Sequence, residues 1–198
     1  LRCGSGSGFW TSWYAARLFT NGSFVYVAVP IYYYGGGYGS QGAWLALGVV
    51  DAQDPTQPKI VGKTFVPLKT GPYGYYYSGF YDGYAYYSYG GWAVMGAGSA
   101  IVQNGSTLSF IESTRTSSSY DDPTVSRTLH VLDLSNPAAP RESAALDLGN
   151  SLGSTPLLLQ GNTVLSSRWN SVPGRAGRVR FWIDRVDLSN PNAPLALP

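Results

Sequence analysis

The sequence predicts an all-β fold, and three observations carry that prediction. No helical period survives ten residues, because the 25 glycines and 13 prolines interrupt the apolar stretches. Several short segments alternate as strands do, and one of them, FVYVAV at residues 24–29, is apolar on both faces, as expected of an inner strand. A strand-and-turn pattern also recurs along the chain. Together these features indicate a repeat protein built from short strands.

Three copies of the repeated pattern are visible. Each copy opens with a turn and a short strand: FTNGSFVYVAV from residue 19, VQNGSTLSFIE from residue 102 and LQGNTVLSS from residue 159. After a loop of variable length comes a strand that ends in aspartate, and then a turn with two prolines three residues apart. These turns are DAQDPTQP (51–58), DLSNPAAP (133–140) and DLSNPNAP (187–194). Repeats of roughly 40 to 50 residues made of short strands predict propeller blades of four strands each.

The repeated turn has a physical interpretation as a folding device. The strand ends at aspartate, and the serine and asparagine side chains are expected to hydrogen-bond nearby backbone amides and tighten the turn. The first proline stops the strand ladder because it has no N–H to donate. The second proline lets the chain re-enter the sheet as an outer edge strand. The aspartates do not predict a calcium site, since no two carboxylates have calcium-loop spacing.

Two strands inside the repeats differ in their patterns. In the second repeat, Leu129 and Val131 alternate with His130 and Leu132. In the third repeat, VRFWID at residues 179–184 alternates three apolar residues with arginine, tryptophan and aspartate. The latter pattern predicts a strand with one wetter face.

The spacing of the turns divides the chain. Asp51 and Asp133 are 82 residues apart, whereas Asp133 and Asp187 are 54 apart. The excess of about 28 residues matches an aromatic stretch that we interpret as an insertion or a degenerate blade. The predicted units are the end of a preceding blade or an N-terminal extension (1–17), blade repeats at 18–65, 100–149 and 150–198, and the insertion or degenerate blade at 66–99.

The motifs NGSFVYVAV and LHVLDLSNPAAP resemble the LVIVD-type β-propeller repeat of bacterial and archaeal surface or secreted proteins. The resemblance covers most of residues 18–65 and 100–198. It implies a partial β-propeller with about three to four four-stranded blades and an extracellular or cell-envelope location. It implies no general catalytic residues. The chain departs from the family in its long aromatic insertions, in loops such as residues 113–125, and in having too few blades for a closed ring.

An incomplete ring has a predictable consequence. It would expose two blade faces to water, and an exposed apolar area of that size indicates a partner. We therefore expect the chain to be part of a larger assembly, completed by other protein subunits or by the remaining blades of the same precursor. The chain opens LRCGSGSG without an initiator methionine, which indicates a mature or cut chain without its targeting segment.

Thirteen of the sixteen tyrosines lie in two Gly-rich segments, residues 31–44 and 71–92. Tyrosine among glycine and serine is typical of protein-binding loops, and flat rings also stack on sugars. The alternatives are subunit contact, glycan or small-ligand binding, and simple packing within an extra hairpin. The candidate contact residues are Tyr32, Tyr33, Tyr34, Tyr38, Trp44, Tyr73, Tyr75, Tyr76, Tyr77, Phe80, Tyr81 and Trp92.

The sequence offers little enzyme chemistry. His130 is the only histidine and lies within a strand, where we expect it to be packed. One histidine and one cysteine, Cys3, exclude a zinc site made of those two ligand types within this chain. Four carboxylates are too scattered in sequence to predict a glycosidase pair: Glu112, Asp121, Asp122 and Glu142. We predict no catalytic residues, metal or cofactor. Cys3 is expected to be a free thiol, with pairing to another chain as the alternative.

Arginines make the last third of the chain locally basic. A small anion-binding face is one interpretation and a solvated hairpin loop is the other; the residues concerned are Arg168, Arg175, Arg178 and Arg180. A net charge of +2 and only 12% charged residues do not suggest a nucleic-acid surface. The sequence contains no run of 18 apolar residues, so it predicts no transmembrane helix.

The sequence therefore predicts a secreted, non-enzymatic module that contacts other protein subunits through Tyr-rich loops. A carbohydrate-binding propeller is the alternative. A hydrolase completed by blades outside this chain is the third reading.

Overall fold

A computed structural model describes residues 8–11, 16–34, 40–69, 101–115, 125–154 and 157–198. This part of the chain forms three antiparallel sheets and contains no helix, which confirms the all-β class. Within each sheet the strands follow one another in sequence order, as a meander.

The first sheet is built from residues 8–68. Strands β1 (Gly8–Thr11) and β2 (Arg17–Asn21) pair with successive lengths of β3 (Phe24–Tyr34), so together they occupy one strand position. The sheet continues with β4 (Ser40–Asp51) and β5 (Lys59–Leu68). It therefore has four strand positions.

The second sheet has four strands, β6 (Ile101–Asn104), β7 (Thr107–Arg115), β8 (Val125–Asp133) and β9 (Arg141–Ser151). Register shifts between Arg127 and Thr128, and between Val131 and Leu132, interrupt the pairing of β8 with β9. Such bulges insert an extra residue into one strand and re-aim the side chains beside it.

The third sheet repeats the plan of the first. Strands β10 (Gly153–Ser154) and β11 (Leu158–Gln160) share one side of β12 (Thr163–Ser171). Next come β13 (Val179–Asp187) and β14 (Leu195–Leu197). The three sheets thus share one four-position meander.

The first hairpin of each sheet closes on a glycine turn. Gly22, Gly105 and Gly161 have φ of 60°, 55° and 58° and stand first in two-residue loops. This left-handed conformation suits glycine, and a glycine at the first central position is typical of the type II′ hairpin turn. The Asn-Gly dipeptides therefore form turns, as predicted.

The aspartate turns close in the same way in all three sheets. The Oδ1 atoms of Asp51, Asp133 and Asp187 accept the amide N–H two residues on, at 2.9, 2.9 and 2.8 Å. Further along the turn, the Oδ1 atoms of Asn136 and Asn190 each accept the amide N–H two residues on, both at 3.1 Å. The serine part of the prediction was wrong, because the Ser189 hydroxyl donates to the Asp187 carboxylate instead of accepting a backbone amide.

The two turns of each sheet are joined by one backbone hydrogen bond. Ala52 N donates to Ser23 O, Leu134 N to Ser106 O and Leu188 N to Asn162 O, at 2.9, 2.7 and 2.8 Å. The same bond in every copy places the glycine turn beside the aspartate turn. At this end, the two turns of each repeat are therefore held together by a hydrogen bond within the repeat.

The sheets stack in chain order around two apolar cores. The first core joins the first and second sheets and includes Tyr26, Leu47, Phe110 and Leu132. The second core joins the second and third sheets through residues such as Leu129, Val131, Val164 and Val186. The second sheet is consequently buried on both faces, whereas each outer sheet has one covered face.

The predicted unit boundaries stay predictions. Residues 70–100, which hold most of the segment 66–99, lie outside the described residues. Residues 66–68 belong to β5 and not to a separate unit.

Candidate functional site

The stack has two chemically different ends. At one end, Gln103 Nε2 donates to Thr20 O at 3.1 Å, and Asn104 Nδ2 donates to Asn162 Oδ1 at 2.8 Å. These contacts link the glycine turns of neighbouring sheets, and we call this end the turn end. At the opposite end, which we call the loop end, β3, β7 and β12 end and β4, β8 and β13 begin. The chain also leaves β5 at this end, because Leu68 pairs with Ala43 near the start of β4.

The predicted aromatic contact residues fall at the loop end as far as they are described. Tyr32, Tyr33 and Tyr34 form the last residues of β3. Trp44, in β4, pairs with Ile31 and is partly exposed. The other candidates lie outside the described residues: Tyr38, Tyr73, Tyr75, Tyr76, Tyr77, Phe80, Tyr81 and Trp92.

The outer face of the first sheet is apolar and faces away from the second sheet. Leu18, Ile60 and Phe65 are 68%, 79% and 55% exposed. Strand pairing places these side chains in line with Val27, Val50 and Ala46, which lie on the face opposite the buried core residues. We call this surface the first terminal face.

The third sheet presents a second terminal face. Val179, Phe181 and Ile183 are 45%, 64% and 71% exposed, and the Trp169 ring lies 5.9 Å from the Phe181 ring. The face of β13 predicted to be wetter, that of Arg180, Trp182 and Asp184, is exposed only at Arg180, because Trp182 and Asp184 are half-buried. The apolar face is exposed at Val179, Phe181 and Ile183. Asp184 points into the interface with the second sheet.

One contact between sheets occurs twice: the proline turn of a sheet packs on the strand that follows the proline turn of the preceding sheet. We call this contact the joint. Gly62 in β5 lies against the proline turn of the second sheet, since a Cβ built on it would meet Pro137 O at 2.1 Å. Ser143 Oγ, in the corresponding stretch of β9, donates to Pro191 O at 2.9 Å in the proline turn of the third sheet. The equivalent turn of the first sheet, residues 53–58, is exposed. Within the described residues, that turn therefore lacks the kind of neighbour that Gly62 and Ser143 provide for the other two turns.

A buried ionic group lies between the first and second sheets. His130 Nδ1 is 2.7 Å from Glu142 Oε1, and Nε2 is 3.0 Å from Glu112 Oε2. Glu112 also accepts the Lys69 amide, and Lys69 Nζ donates to Thr128 Oγ1 at 2.7 Å. The Phe110 ring stacks on the imidazole at 4.6 Å. The group ties the end of β5 to three strands of the second sheet.

The charge of His130 is set by two opposing effects. Burial works against the charged imidazolium, but hydrogen bonds to Glu112 and Glu142 outweigh it, so the pKa of His130 is raised. Sequence distance gave no sign that Glu112 and Glu142 meet, yet the sheet brings one to each ring nitrogen of His130. The prediction that they do not form a glycosidase pair stays a prediction. With a carboxylate at each ring nitrogen, the imidazole has no free position for a substrate proton.

A second charged group lies between the second and third sheets. The fully buried Arg127 places Nη1 2.8 Å from Asp184 Oδ2, and its Nη2 donates to Leu148 O at 2.7 Å. The Nη1–Asp184 approach is an ion pair without hydrogen-bond alignment, and Arg127 Nε has no hydrogen-bond partner. Desolvation lowers the pKa of Arg127, against the opposing effect of Asp184. Sequence patterns gave no sign of this pair.

The four predicted anion-binding arginines separate into two groups. Arg168 donates from Nε to Asp184 Oδ1 at 2.9 Å and lies 4.7 Å from the Trp182 ring centre. Arg175, Arg178 and Arg180 line a depression of about 510 Å³ at the loop end. Arg168 is therefore occupied within the fold, and the other three face solvent.

Comparison with known proteins finds no matching family model, no matching curated protein and no matching solved structure. In the described ranges, no cluster of three or more His, Cys, Asp or Glu side chains could hold a metal ion. No helix capable of crossing a membrane occurs among those residues either. The candidate surfaces therefore rest on their own geometry.

Proposed function

We propose that this chain is a non-enzymatic structural and protein-interaction module whose terminal faces are covered by further sheets of the same repeat, giving a β-propeller of LVIVD type. The observation that carries the proposal is the apolar character of both terminal faces. Fully burying one large apolar side chain is worth roughly 1.5–3 kcal/mol, so exposed groups such as Phe65, Phe181 and Ile183 favour association.

The internal joints support covering sheets of the same kind. The first sheet offers a free proline turn, and in the two sheets that follow the corresponding turn packs on the preceding sheet. A neighbouring sheet of the same repeat would cover this turn and the first terminal face together. Another such sheet would cover the second terminal face as the third sheet covers the second.

The source of the covering sheets is another subunit or further blades of one precursor. The module acts outside the cell or in the cell envelope in this proposal, with the Tyr-rich segments at the loop end as its contact surface for partners. Support for that surface comes from the convergence of β3, β4 and β5 on the loop end. Rigid aromatic surface is suited to protein contact.

The state of assembly tests the proposal. Native mass spectrometry and sedimentation of the chain should show species larger than the 21.3 kDa monomer. Phe65→Asp and Ile183→Asp should each dissociate them, because a covered carboxylate must lose its hydration. Asn150→Asp is the matched control, since Asn150 is exposed in β9 of the middle sheet and should tolerate the charge.

The denaturing mass of the polypeptide from its natural source distinguishes the two origins of the covering sheets. A polypeptide much longer than 198 residues assigns them to the same precursor, and a 198-residue chain in a larger native complex assigns them to another subunit. A stable, soluble 21.3 kDa monomer unaffected by both Asp variants would contradict the proposal.

A further inference from the structure

The tip of the β12–β13 hairpin consists of two successive turns of the same type. Arg175 N donates to Val172 O at 3.1 Å, and Arg178 N donates to Arg175 O at 3.2 Å. The third residue of each turn is a glycine with positive φ, 70° at Gly174 and 71° at Gly177. A glycine with positive φ at this position is the requirement of a type II turn. The tip is therefore held by its own backbone.

The repeated turn sets the positions of the arginines. Arg175 is the last residue of the first turn and the first of the second, and Arg178 ends the second turn. The Val172 N–H donates to Arg178 O at 2.9 Å and closes the tip onto the strands. Arg180 follows in β13, and all three arginines line the depression with Val172 and Val179. Three cations thus converge on one concave surface.

These three charges have no neutralising partner in the described part of the chain. Arg175, Arg178 and Arg180 are exposed and make no ion pair there. Asp184, the carboxylate of β13 nearest to them in sequence, is held by Arg127 at 2.8 Å and by Arg168 at 2.9 Å. The depression is therefore a concentration of positive charge in a molecule of net charge +2.

We propose that this depression binds a tetrahedral dianion of the phosphate or sulfate type, either as the free ion or as a monoester on a larger molecule. Guanidinium forks match such oxyanions with paired, charge-assisted hydrogen bonds. The two valines supply an apolar wall that can contact the organic part of a monoester. The inference rests on the hairpin tip, and of the lining residues only Val179 also belongs to the second terminal face.

Isothermal titration calorimetry on the full chain, at constant ionic strength, tests the site with inorganic phosphate, inorganic sulfate and glucose 6-phosphate. We expect saturable binding that the triple variant Arg175→Gln, Arg178→Gln, Arg180→Gln weakens at least tenfold. Arg141→Gln is the matched control, since Arg141 is an exposed arginine of the turn end that pairs with Asp133, and it should leave affinity unchanged.

Tighter binding of glucose 6-phosphate than of phosphate assigns the site to monoesters, and equal binding assigns it to the free ion. The triple Arg→Lys variant keeps the charge but loses the forks, so its affinity should fall between wild type and the Gln variant. If the Gln variant does not fold, the affinity of the Lys variant relative to wild type tests the site instead. Heat that does not saturate, or equal affinity in wild type and the folded triple variant, would overturn the inference.

Discussion

His130 shows how a single buried side chain can make stability depend on pH. Both of its ring nitrogens face carboxylates, and the nearby cation, Lys69, donates its Nζ to Thr128. The protonated imidazole donates to Glu112 and Glu142 at once, whereas the neutral ring has a single N–H and can donate to only one of the two carboxylates. Since the unfolded chain lacks these neighbours, folding favours the protonated form.

The direction of the resulting pH dependence follows from linkage. The folded pKa of His130 is raised, so its contribution to stability is complete below the unfolded value of about 6.5 and is lost as pH rises through the folded value. Because His130 is the only histidine, one imidazole resonance in an NMR titration reports it directly. We expect a titration midpoint above about 6.5 and a fall in the free energy of unfolding across the same pH range.

Matched variants assign this effect to the carboxylates. Glu142→Gln should lower the midpoint, because it removes the charge 2.7 Å from Nδ1. Asp147→Asn removes a charge from the same strand at a position that makes no contact with His130, and should leave the midpoint unchanged. A midpoint at or below the ordinary value in the folded chain would contradict this account.

At the scale of elements, the joint between sheets depends on the absence of a side chain in β5. A Cβ on Gly62 would lie 2.1 Å from Pro137 O and 3.0 Å from Pro140 Cδ, so the proline turn would have to move. We expect Gly62→Ala to lower the free energy of unfolding by about 1–3 kcal/mol, the usual cost of overpacking. Denaturant titration measures this change.

Gly48 provides the matched control for that substitution. It lies in the neighbouring strand β4, opposite Lys63, and a Cβ there would meet nothing within 4 Å. Gly48→Ala should be neutral or slightly stabilising, since alanine restricts the unfolded chain more than glycine does. Equal losses in both variants would show that the tight joint does not distinguish them.

Sequence reasoning succeeded where structure is local and failed where it depends on neighbours. The glycine and aspartate turns are determined by residues within a few positions of each other, so their motifs predicted them. The meeting of Glu112 and Glu142 at His130 depends on cross-strand register, which bulges in β9 alter. The exposure of Phe181 and Ile183 depends on which faces of the third sheet have a neighbour, which alternation alone does not reveal.

At the scale of the whole molecule, the three sheets differ in how completely they are covered. The middle sheet has a core on each face, while each outer sheet has one core and one terminal face. The two charged groups lie in separate interfaces, one on each side of the middle sheet. Stability should therefore be greatest in the middle sheet and decrease toward the two terminal faces.

Hydrogen exchange followed by mass spectrometry tests this gradient. Amides of β8, which is hydrogen-bonded on both edges and buried on both faces, should exchange slowest, and those of the three-residue β14 fastest. In a longer polypeptide or complex that covers the terminal faces, exchange in β5 and β13 should slow, while β8 changes little because it is already enclosed. Equal protection of β13 and β8 in the chain alone would show that the second terminal face does not weaken its sheet, which would contradict the predicted gradient.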